Sequence, residues 1–334
     1  MSVNTSIGLI GVAKQTAKGT AASAPTFVHG LTGGQTFKLD RSVQSANVTC
    51  GIRTGTDSYV ESVTPGLDFE TYGYSDVIGL YLLAAMGNVS SSSYSGSGTN
   101  PPTKQHVITM GDLLPYLTFW GRIGGEFTKV SDCKVDQLEL DFEGNAPLGF
   151  GITVLGIAAT MGLSAFPGSV SPACFDGYFV PTGGTFKLAT AGDTPAVAPV
   201  VSGNLTLSNG CSAEPLAGQV TPGDVEEGKL AVSGSVTVKP DDMALYTAMV
   251  TGASDGTAPT AGMVYGSFEW EFKHSKTNHV LKVEADRVPF TCDYPSVDPE
   301  GGAAELQFSF ENVGVASASD SPVTFTLLND TASY

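Results

Sequence analysis

The stretch Ser62-Val-Thr-Pro-Gly-Leu-Asp-Phe-Glu-Thr-Tyr-Gly-Tyr-Ser-Asp76 runs into the apolar segment Val77–Met86, which stops at Gly87. Leu67 and Phe69 alternate with acidic residues, as they do in a strand that buries one face. An apolar segment that ends at glycine is typical of a short helix with a left-handed C-cap. The stretch therefore predicts a half-buried strand that leads directly into a helix.

A second stretch in the other half of the chain has the same order. Val232-Ser-Gly-Ser-Val-Thr-Val-Lys-Pro-Asp-Asp242 precedes the helical segment Met243–Val250, and Gly252 follows 165 residues after Gly87 in a chain of 334. We therefore predict a duplicated β-rich unit, with an N-terminal arm (1–31), a first repeat (32–160), a linker (161–181) and a second repeat (182–334). A repeated unit without a catalytic motif favours assembly over catalysis.

Strand-type alternation recurs along most of the chain. Leu138, Leu140 and Phe142 share one face within Lys134–Phe142, and apolar residues fall at every second position in Phe268–Phe272 and Leu306–Phe310. Antiparallel sheets that are wetted on one side have this pattern. We predict a mainly β fold, an antiparallel β-sandwich or barrel-forming sheet with short flanking α-helices, and we place Trp120 and Trp270 in its core.

Each predicted helix is too short to be stable alone, so each is expected to pack on a sheet. Ser75 or Asp76 is predicted to cap the first helix and Asp241 the second, because short oxygen-bearing side chains satisfy the first free amides.

The composition indicates a folded but acidic protein. Hydrophobic residues make up 41% of the chain and charged residues only 15%, and the net charge is −17. Such a surface repels phosphate backbones, which argues against tight binding of nucleic acid. The acidic charge either serves only solubility or has a function of its own, and the sequence leaves both open.

The cysteines do not form a disulfide framework. Cys50, Cys133, Cys174, Cys211 and Cys292 are an odd number of widely spaced residues, which predicts free, mostly buried thiols in a reducing compartment. The first residues lack the features of a secretory signal, and no apolar run is long enough for a transmembrane helix.

Three patterns resemble catalytic or metal-binding motifs only superficially. Gly252-Ala-Ser254-Asp-Gly256 follows a predicted helix, whereas a nucleophile elbow follows a strand and precedes a helix. His274 and His279 lack a third ligand, and we predict solvated turn residues. The acidic group near Pro295 matches no calcium loop and is predicted to be a solvated turn; it comprises Asp293, Asp298, Glu300 and Glu305. We predict no enzyme and no cofactor.

Two segments carry a resemblance to a known family. These are Ile10-Gly-Val-Ala-Lys-Gln-Thr-Ala-Lys-Gly-Thr-Ala-Ala-Ser-Ala-Pro-Thr-Phe27 and Gly228-Lys-Leu-Ala-Val-Ser-Gly-Ser-Val-Thr-Val-Lys-Pro-Asp-Asp-Met-Ala-Leu-Tyr246. In both, the chain resembles the tail tube (major tail) proteins of long-tailed, siphovirus-type bacteriophages. The serine-rich loop 90–102 and the segment 189–199 depart from that pattern.

The resemblance implies a structural virion protein without a cofactor. Such subunits form rings that stack into a hollow tail tube, and strands from all subunits close an inner β-barrel through which DNA reaches the host. The implied partners are further copies of the chain and the tape measure, terminator and distal tail proteins, with assembly in the host cytoplasm and no membrane. N-terminal arms join the rings, which suggests this role for Ile10, Val12 and Phe27.

Within that arrangement, the polar strand positions are expected to face the lumen or the solvent. They are Glu70, Gln137, Glu139, Asp141, Ser235, Thr237, Glu284 and Asp286. About four strands per repeat would make a trimeric ring with pseudo-sixfold symmetry, whereas barrel strands from one repeat alone would require a hexamer. The alternatives are a monomeric β-sandwich binding or adhesin module, and another phage structural protein such as a tail terminator or capsid decoration.

Overall fold

A computed structural model of the chain describes residues 5–6, 8–45, 57–96, 100–295 and 304–334. Cys50, Asp298, Glu300 and residues 97–99 of the serine-rich loop lie outside these ranges. The described chain consists mainly of antiparallel strands, with two α-helices. The predicted fold class is confirmed.

The larger of the two sheets contains twelve strands in the described part of the chain. They are β1 (Gly8–Lys14), β2 (Phe27–His29), β3 (Gly33–Ser45), β4 (Ser58–Tyr72), β7 (Leu117–Ile123), β8 (Glu126–Glu143), β9 (Gly149–Leu155), β10 (Ala158–Met161), β14 (Val200–Ser208), β15 (Ala231–Val238), β18 (Phe290–Thr291) and β19 (Leu306–Phe310).

The second sheet has eight described strands. They are β5 (Gly87–Ser93), β6 (Lys104–Met110), β11 (Phe179–Val180), β12 (Phe186–Ala189), β13 (Ala196–Val197), β16 (Gly266–His274), β17 (Val280–Val288) and β20 (Thr324–Asn329). The helices are α1 (Ser75–Met86) and α2 (Ala244–Thr251), and a single 3-10 turn covers Ala173–Phe175. Because β6 pairs with β20 of the second half and with β5 of the first, the two sheets do not coincide with the two predicted repeats, and the repeat boundaries stay a prediction.

The long strand β8 makes the larger sheet branch. Its first half pairs with β7 and β10, and its second half pairs with β9 and β14. From this second half, a continuous antiparallel series extends in both directions, in the order β3-β4-β9-β8-β14-β15-β19-β18. We call this series the eight-strand run.

The core lies between the apolar faces of the two sheets. Phe142 of the eight-strand run packs edge-on against Trp270 and Phe272 of the second sheet, with ring centroids 5.2 Å apart in both pairs. Phe268 likewise meets Phe310 at 5.6 Å. Trp120 and Trp270 are both buried, which confirms their predicted place in the core.

Helix α1 is enclosed between the sheets. It contacts β2 and β8 on one side and β5, β6 and β20 on the other, and all its side chains except that of Asp76 are buried. It ends at Gly87 with φ 93°, as predicted. The predicted cap is wrong: Tyr74 is the N-cap without a side-chain cap bond, because the Ser75 hydroxyl is hydrogen-bonded to His279 Nδ1 (2.7 Å) instead.

Helix α2 is more exposed than α1. Only Ala248 is fully buried, although neighbouring apolar residues pack partly against the core. The helix ends at Gly252 with φ 85°, as predicted. The carboxylate of Asp242, rather than that of Asp241, accepts a hydrogen bond from the Ala244 amide (2.9 Å).

The segment predicted to be an N-terminal arm joins the sheet from Gly8 onward. β1 pairs with β7 and β2 of the same chain. Ile10 and Val12 are completely buried, and Phe27 is partly buried against the core. These side chains therefore contribute to the chain's own core, and a role of this segment between rings stays a prediction.

The prediction of solvated histidines is wrong. His274 and His279 are only 7% and 8% exposed, because Ser75, Asp330 and the turn after β16 surround them.

Among the cysteines, the four described ones are free, as predicted, but only Cys133 is fully buried.

His29 links β2 to α1 inside the core. Its Nδ1 lies 2.8 Å from the Gly30 carbonyl oxygen and its Nε2 lies 2.5 Å from the Tyr81 hydroxyl. A carbonyl oxygen can only accept, so Nδ1 carries the proton and Nε2 accepts from Tyr81. Complete burial disfavours the charged imidazolium and lowers the pKa of His29 to about 4.

This histidine predicts a loss of stability in acid. The unfolded chain binds the proton near pH 6.5 and the folded chain only near pH 4, so unfolding takes up one proton between these values. The free energy of unfolding should fall by about 3 kcal/mol as the pH drops through this window. Urea unfolding of His29→Gln should show lower stability at neutral pH and a shallower fall in acid. Equal pH slopes for both proteins would contradict this assignment.

Candidate functional site

The eight-strand run has one apolar face in the core and one polar face that no described segment of the second sheet covers. Exposed or half-buried polar side chains occupy alternate positions on this second face. They are Asp68 and Glu70 on β4, Gln137, Glu139 and Asp141 on β8, Asn204 and Thr206 on β14, Ser233, Ser235 and Thr237 on β15, and Gln307 and Ser309 on β19. Six of the eight predicted polar positions therefore share one surface.

The part of this face formed by the first half of the chain is acidic. Glu70 and Glu139 lie on either side of Gly151 in adjacent strands, and Asp141 lies opposite Gly149. Partial burial raises the pKa of Asp141, and the nearby negative charges of Glu70 and Glu139 raise it further. The field at this surface is therefore negative enough to oppose the ionisation of one of its own carboxyl groups.

The part formed by the second half is polar but uncharged. Asn204 Oδ1 accepts hydrogen bonds from the Ser235 amide (2.6 Å) and the Ser235 hydroxyl (3.2 Å). Ser309 continues the same row on β19. Short hydroxyl and amide side chains that bond to one another leave a smooth surface with little capacity to hold a polyanion.

Glu284 and Asp286 do not belong to this surface. They lie on β17 of the second sheet, where Glu284 accepts a hydrogen bond from Lys282 Nζ (2.8 Å). Lys187 and Lys282 also pair with Glu269 there, each at 3.0 Å. The second sheet thus has a face of mixed charge, whereas the face of the eight-strand run is mainly acidic or neutral, and its Lys38 is paired with Asp40 (3.5 Å).

Both ends of the eight-strand run are open within the described residues. β3 pairs with β4 alone, and β18 pairs with β19 alone. Each open edge exposes an apolar side chain: Leu39 is 42% exposed and Tyr294, just beyond β18, is 68% exposed. Unpaired edges with exposed apolar residues favour pairing with another chain.

Ser254 and Glu305, two of the residues weighed as catalytic or metal-binding, lie in different surroundings. Ser254 lies exposed in the turn that follows α2, and Glu305 forms an ion pair with Lys239 (3.1 Å). The described residues contain no group of three or more possible metal ligands.

A family model for the phage tail tube protein matches residues 5–320. The chain belongs to the phage tail tube protein family. This family is structural rather than enzymatic, and it forms part of the phage tail. The predicted resemblance is therefore confirmed at the level of the family.

No curated protein matched the chain in a separate search. Neither α-helix of the described chain has the length and apolar character needed to cross a membrane.

Alternation alone could identify the polar positions but not their grouping. Asn204 and Thr206 were recognisable as the polar side of a strand, yet only the pairing of β14 with β8 places them beside Glu139 and Asp141. Leu39 and Tyr294 carried no sequence signal, because an open edge is visible only when all strand partners are known.

The acidic face predicts coupled titration. Replacing Glu139 by Gln removes one of the charges that raise the pKa of Asp141, so this pKa should fall. It should stay above its ordinary value, because burial is the largest cause. Carboxyl carbon NMR of aspartate-labelled protein, assigned with Asp141→Asn, measures the change. The control Glu284→Gln on the second sheet should leave the pKa of Asp141 unchanged, and an equal shift in both variants would contradict the grouping.

Proposed function

We propose that this chain polymerises as stacked rings into the hollow tail tube of a long-tailed, siphovirus-type phage, and that DNA passes through the lumen into the host. The observation that carries the proposal is the eight-strand run, with one apolar face, one polar face and two open edges. A sheet of this kind removes its open edges by closing into a barrel with other copies. The polar face then lines the bore, and the second sheet forms the outer layer.

The charge of the polar face suits this role. A lumen lined by Glu70, Glu139 and Asp141, alternating with a sector of hydroxyl and amide groups, repels the phosphate backbone, and the cation of Lys38 on the same face is paired with Asp40 (3.5 Å). DNA can then slide along the wall without binding. This gives the acidic charge a function beyond solubility.

The number of strands favours a trimeric ring. Both halves of the chain contribute four strands each to the run, so three chains supply 24 strands. At a strand spacing of about 4.8 Å, 24 strands form a barrel roughly 37 Å across before strand tilt widens it. A single chain closing on itself would form a barrel only about 12 Å across, with its interior filled by side chains.

Ring stoichiometry tests this proposal. Native mass spectrometry of rings released from the tube should give the mass of three chains of 34.4 kDa each. A mass of six chains would show that the trimer is wrong while leaving the tube intact. A protein that stays monomeric at all concentrations, without filaments in negative-stain micrographs, would overturn the tube itself and favour a monomeric binding module.

The β3–β4 hairpin supports stacking of the rings. β4 pairs with β9 only from Gly66 onward, so the part of the hairpin from Ser58 to Pro65 extends beyond β9. This extension exposes Val43 and Tyr59. An exposed apolar hairpin that projects from one rim of a ring is suited to contact the next ring.

The tube role also defines the expected partners and location. A tube of finite length needs a tape measure protein, a terminator at one end and a distal tail protein at the other. We propose that the rings assemble with these partners in the host cytoplasm and remain in the virion tail.

Charge reversal on the two sheets distinguishes the lumen from the outer surface. Virions with Glu139→Lys and Asp141→Lys should release their DNA more slowly than wild type, because lysines in the bore attract phosphates. The matched pair Glu284→Lys and Asp286→Lys changes the net charge equally on the second sheet and should leave the release rate unchanged. Added salt should reduce the difference by screening. Equal effects of both pairs would contradict the assignment of the lumen.

A further inference from the structure

One pair of strands inside the chain shows how the two open edges of the eight-strand run could pair with each other. Near its middle, β14 of the second half pairs with the last part of β8 of the first half. In this internal junction Leu207 lies opposite Leu138, Thr206 opposite Glu139, and Leu205 opposite Leu140. The leucines are completely buried and the polar pair lies on the other face.

Strand pairing identifies β3 as the counterpart of β14. Gly34 of β3 lies opposite Phe69, and Gly203 of β14 lies opposite Val236. The partner of β3 is β4 and the partner of β14 is β15, and each of these partners is followed by a helix. On its other edge, β4 pairs with β9 and β15 pairs with β19.

The positions further along the two hairpins agree as well. Leu39 lies opposite Pro65, four residues before Phe69, and Leu207 lies opposite Val232, four residues before Val236. Leu39 therefore takes the place of Leu207, and the preceding residue Lys38 takes the place of Thr206.

By the same comparison, β18 is the counterpart of the last part of β8. Thr153 of β9 pairs with Gln137 of β8, and Ser309 of β19 pairs with Thr291 of β18. β17 and β18 together follow the course of β8, because β17 pairs with β16 and β20 as the first part of β8 pairs with β7 and β10. Cys292 thus takes the place of Leu138, Asp293 of Glu139 and Tyr294 of Leu140.

We infer that the β18 edge of one copy pairs antiparallel with β3 of the next copy, in the register of the internal β8–β14 junction. This inference deepens the proposed tube function and rests on it. Cys292 then lies opposite Leu39, Asp293 opposite Lys38, and Tyr294 opposite Phe37. The occupant of each open edge is a second copy of this chain.

The side chains that this register brings together fit chemically. Leu39 and Tyr294, which are exposed in the single chain, both become covered on the apolar side. Cys292 and Phe37 already pack partly against the core there. Lys38 and Asp293 carry opposite charges on the polar side, where opposite charges on facing strands stabilise the pair and like charges destabilise it. The register follows from the strand pairing alone, so both matches are independent of it.

Disulfide trapping tests this register. Facing residues of antiparallel strands have Cα atoms about 4.5–5.5 Å apart, within the range that a disulfide spans. Leu39→Cys should therefore cross-link to the native Cys292 of the neighbouring copy when assembled tubes are oxidised. Non-reducing gels should show a ladder that ends at the covalent trimer. Burial and Asp293 raise the pKa of the Cys292 thiol, so a catalytic oxidant such as copper phenanthroline is used.

Two control variants separate this contact from chance oxidation. Leu39→Cys with Cys292→Ser should lose the ladder. Val43→Cys, which is on the same strand and also exposed, should not cross-link to Cys292. The junction is wrong if tubes form normally but Leu39→Cys gives no ladder, or if Val43→Cys gives an equal ladder. Either result leaves the tube function standing. The absence of any tubes for the wild-type chain overturns the tube function, and the junction with it.

Charge reversal provides a second readout that needs no cysteine. Lys38→Asp places two carboxylates opposite each other and should raise the concentration needed for assembly several-fold. Lys38→Asp with Asp293→Lys restores opposite charges and should bring that concentration back toward the wild-type value. Circular dichroism shows whether both variants are folded. If they are folded and the double variant still needs the higher concentration for assembly, the register is wrong.

Discussion

The requirement that β8 be hydrogen-bonded along both edges organises the whole molecule. The first part of β8 pairs with β7, and its last part pairs with β14 and so joins the two halves of the chain. The register shifts between Val135 and Gln137, where the strand passes from one set of partners to the other. Asn209, at the end of β14, donates hydrogen bonds to Val135 O (2.9 Å) and Ala85 O (3.1 Å). One buried side chain thus holds β8, β14 and α1 together at the point where the sheet branches.

Local sequence patterns predicted the parts of this fold that depend on local forces. The alternation in β8 and the glycine stops of both helices follow from the side-chain period of a strand and the left-handed C-cap of a helix. The burial of His279 could not be predicted, because it depends on Ser75 and Asp330, which are distant in sequence. The place of Ile10 and Val12 was missed for a related reason: β1 alternates apolar residues with glycine and alanine, and its longer partner β7 is distant in sequence.

The two halves share a pattern of strand pairing but differ where they meet other parts of the molecule. Helix α1 is buried because β5, β6 and the C-terminal segment cover it; Asn329 Nδ2, for example, donates to the Ser75 carbonyl (2.9 Å). Helix α2 has no such cover among the described residues, and its apolar residues remain partly exposed. The polar faces differ as well, with carboxylates in the first half and hydroxyl or amide groups in the second. A trimeric ring would therefore alternate acidic and neutral sectors around its bore.

The difference between β8 and its counterpart explains how a chain with open sheet edges can avoid indiscriminate strand pairing before it assembles. β8 is one continuous strand of 18 residues, whereas Pro289 separates β17 from β18, and β18 is only two residues long. A proline lacks the amide needed for a ladder, and a short edge strand presents few free hydrogen-bonding groups. The internal β8–β14 junction is thus formed within the folded chain. The open edge at β18, in contrast, is too short for indiscriminate pairing with other strands. In the proposed junction, only a partner that also matches the adjacent apolar and charged side chains gains enough contact to extend this edge. Such a requirement would favour ordered ring closure over aggregation.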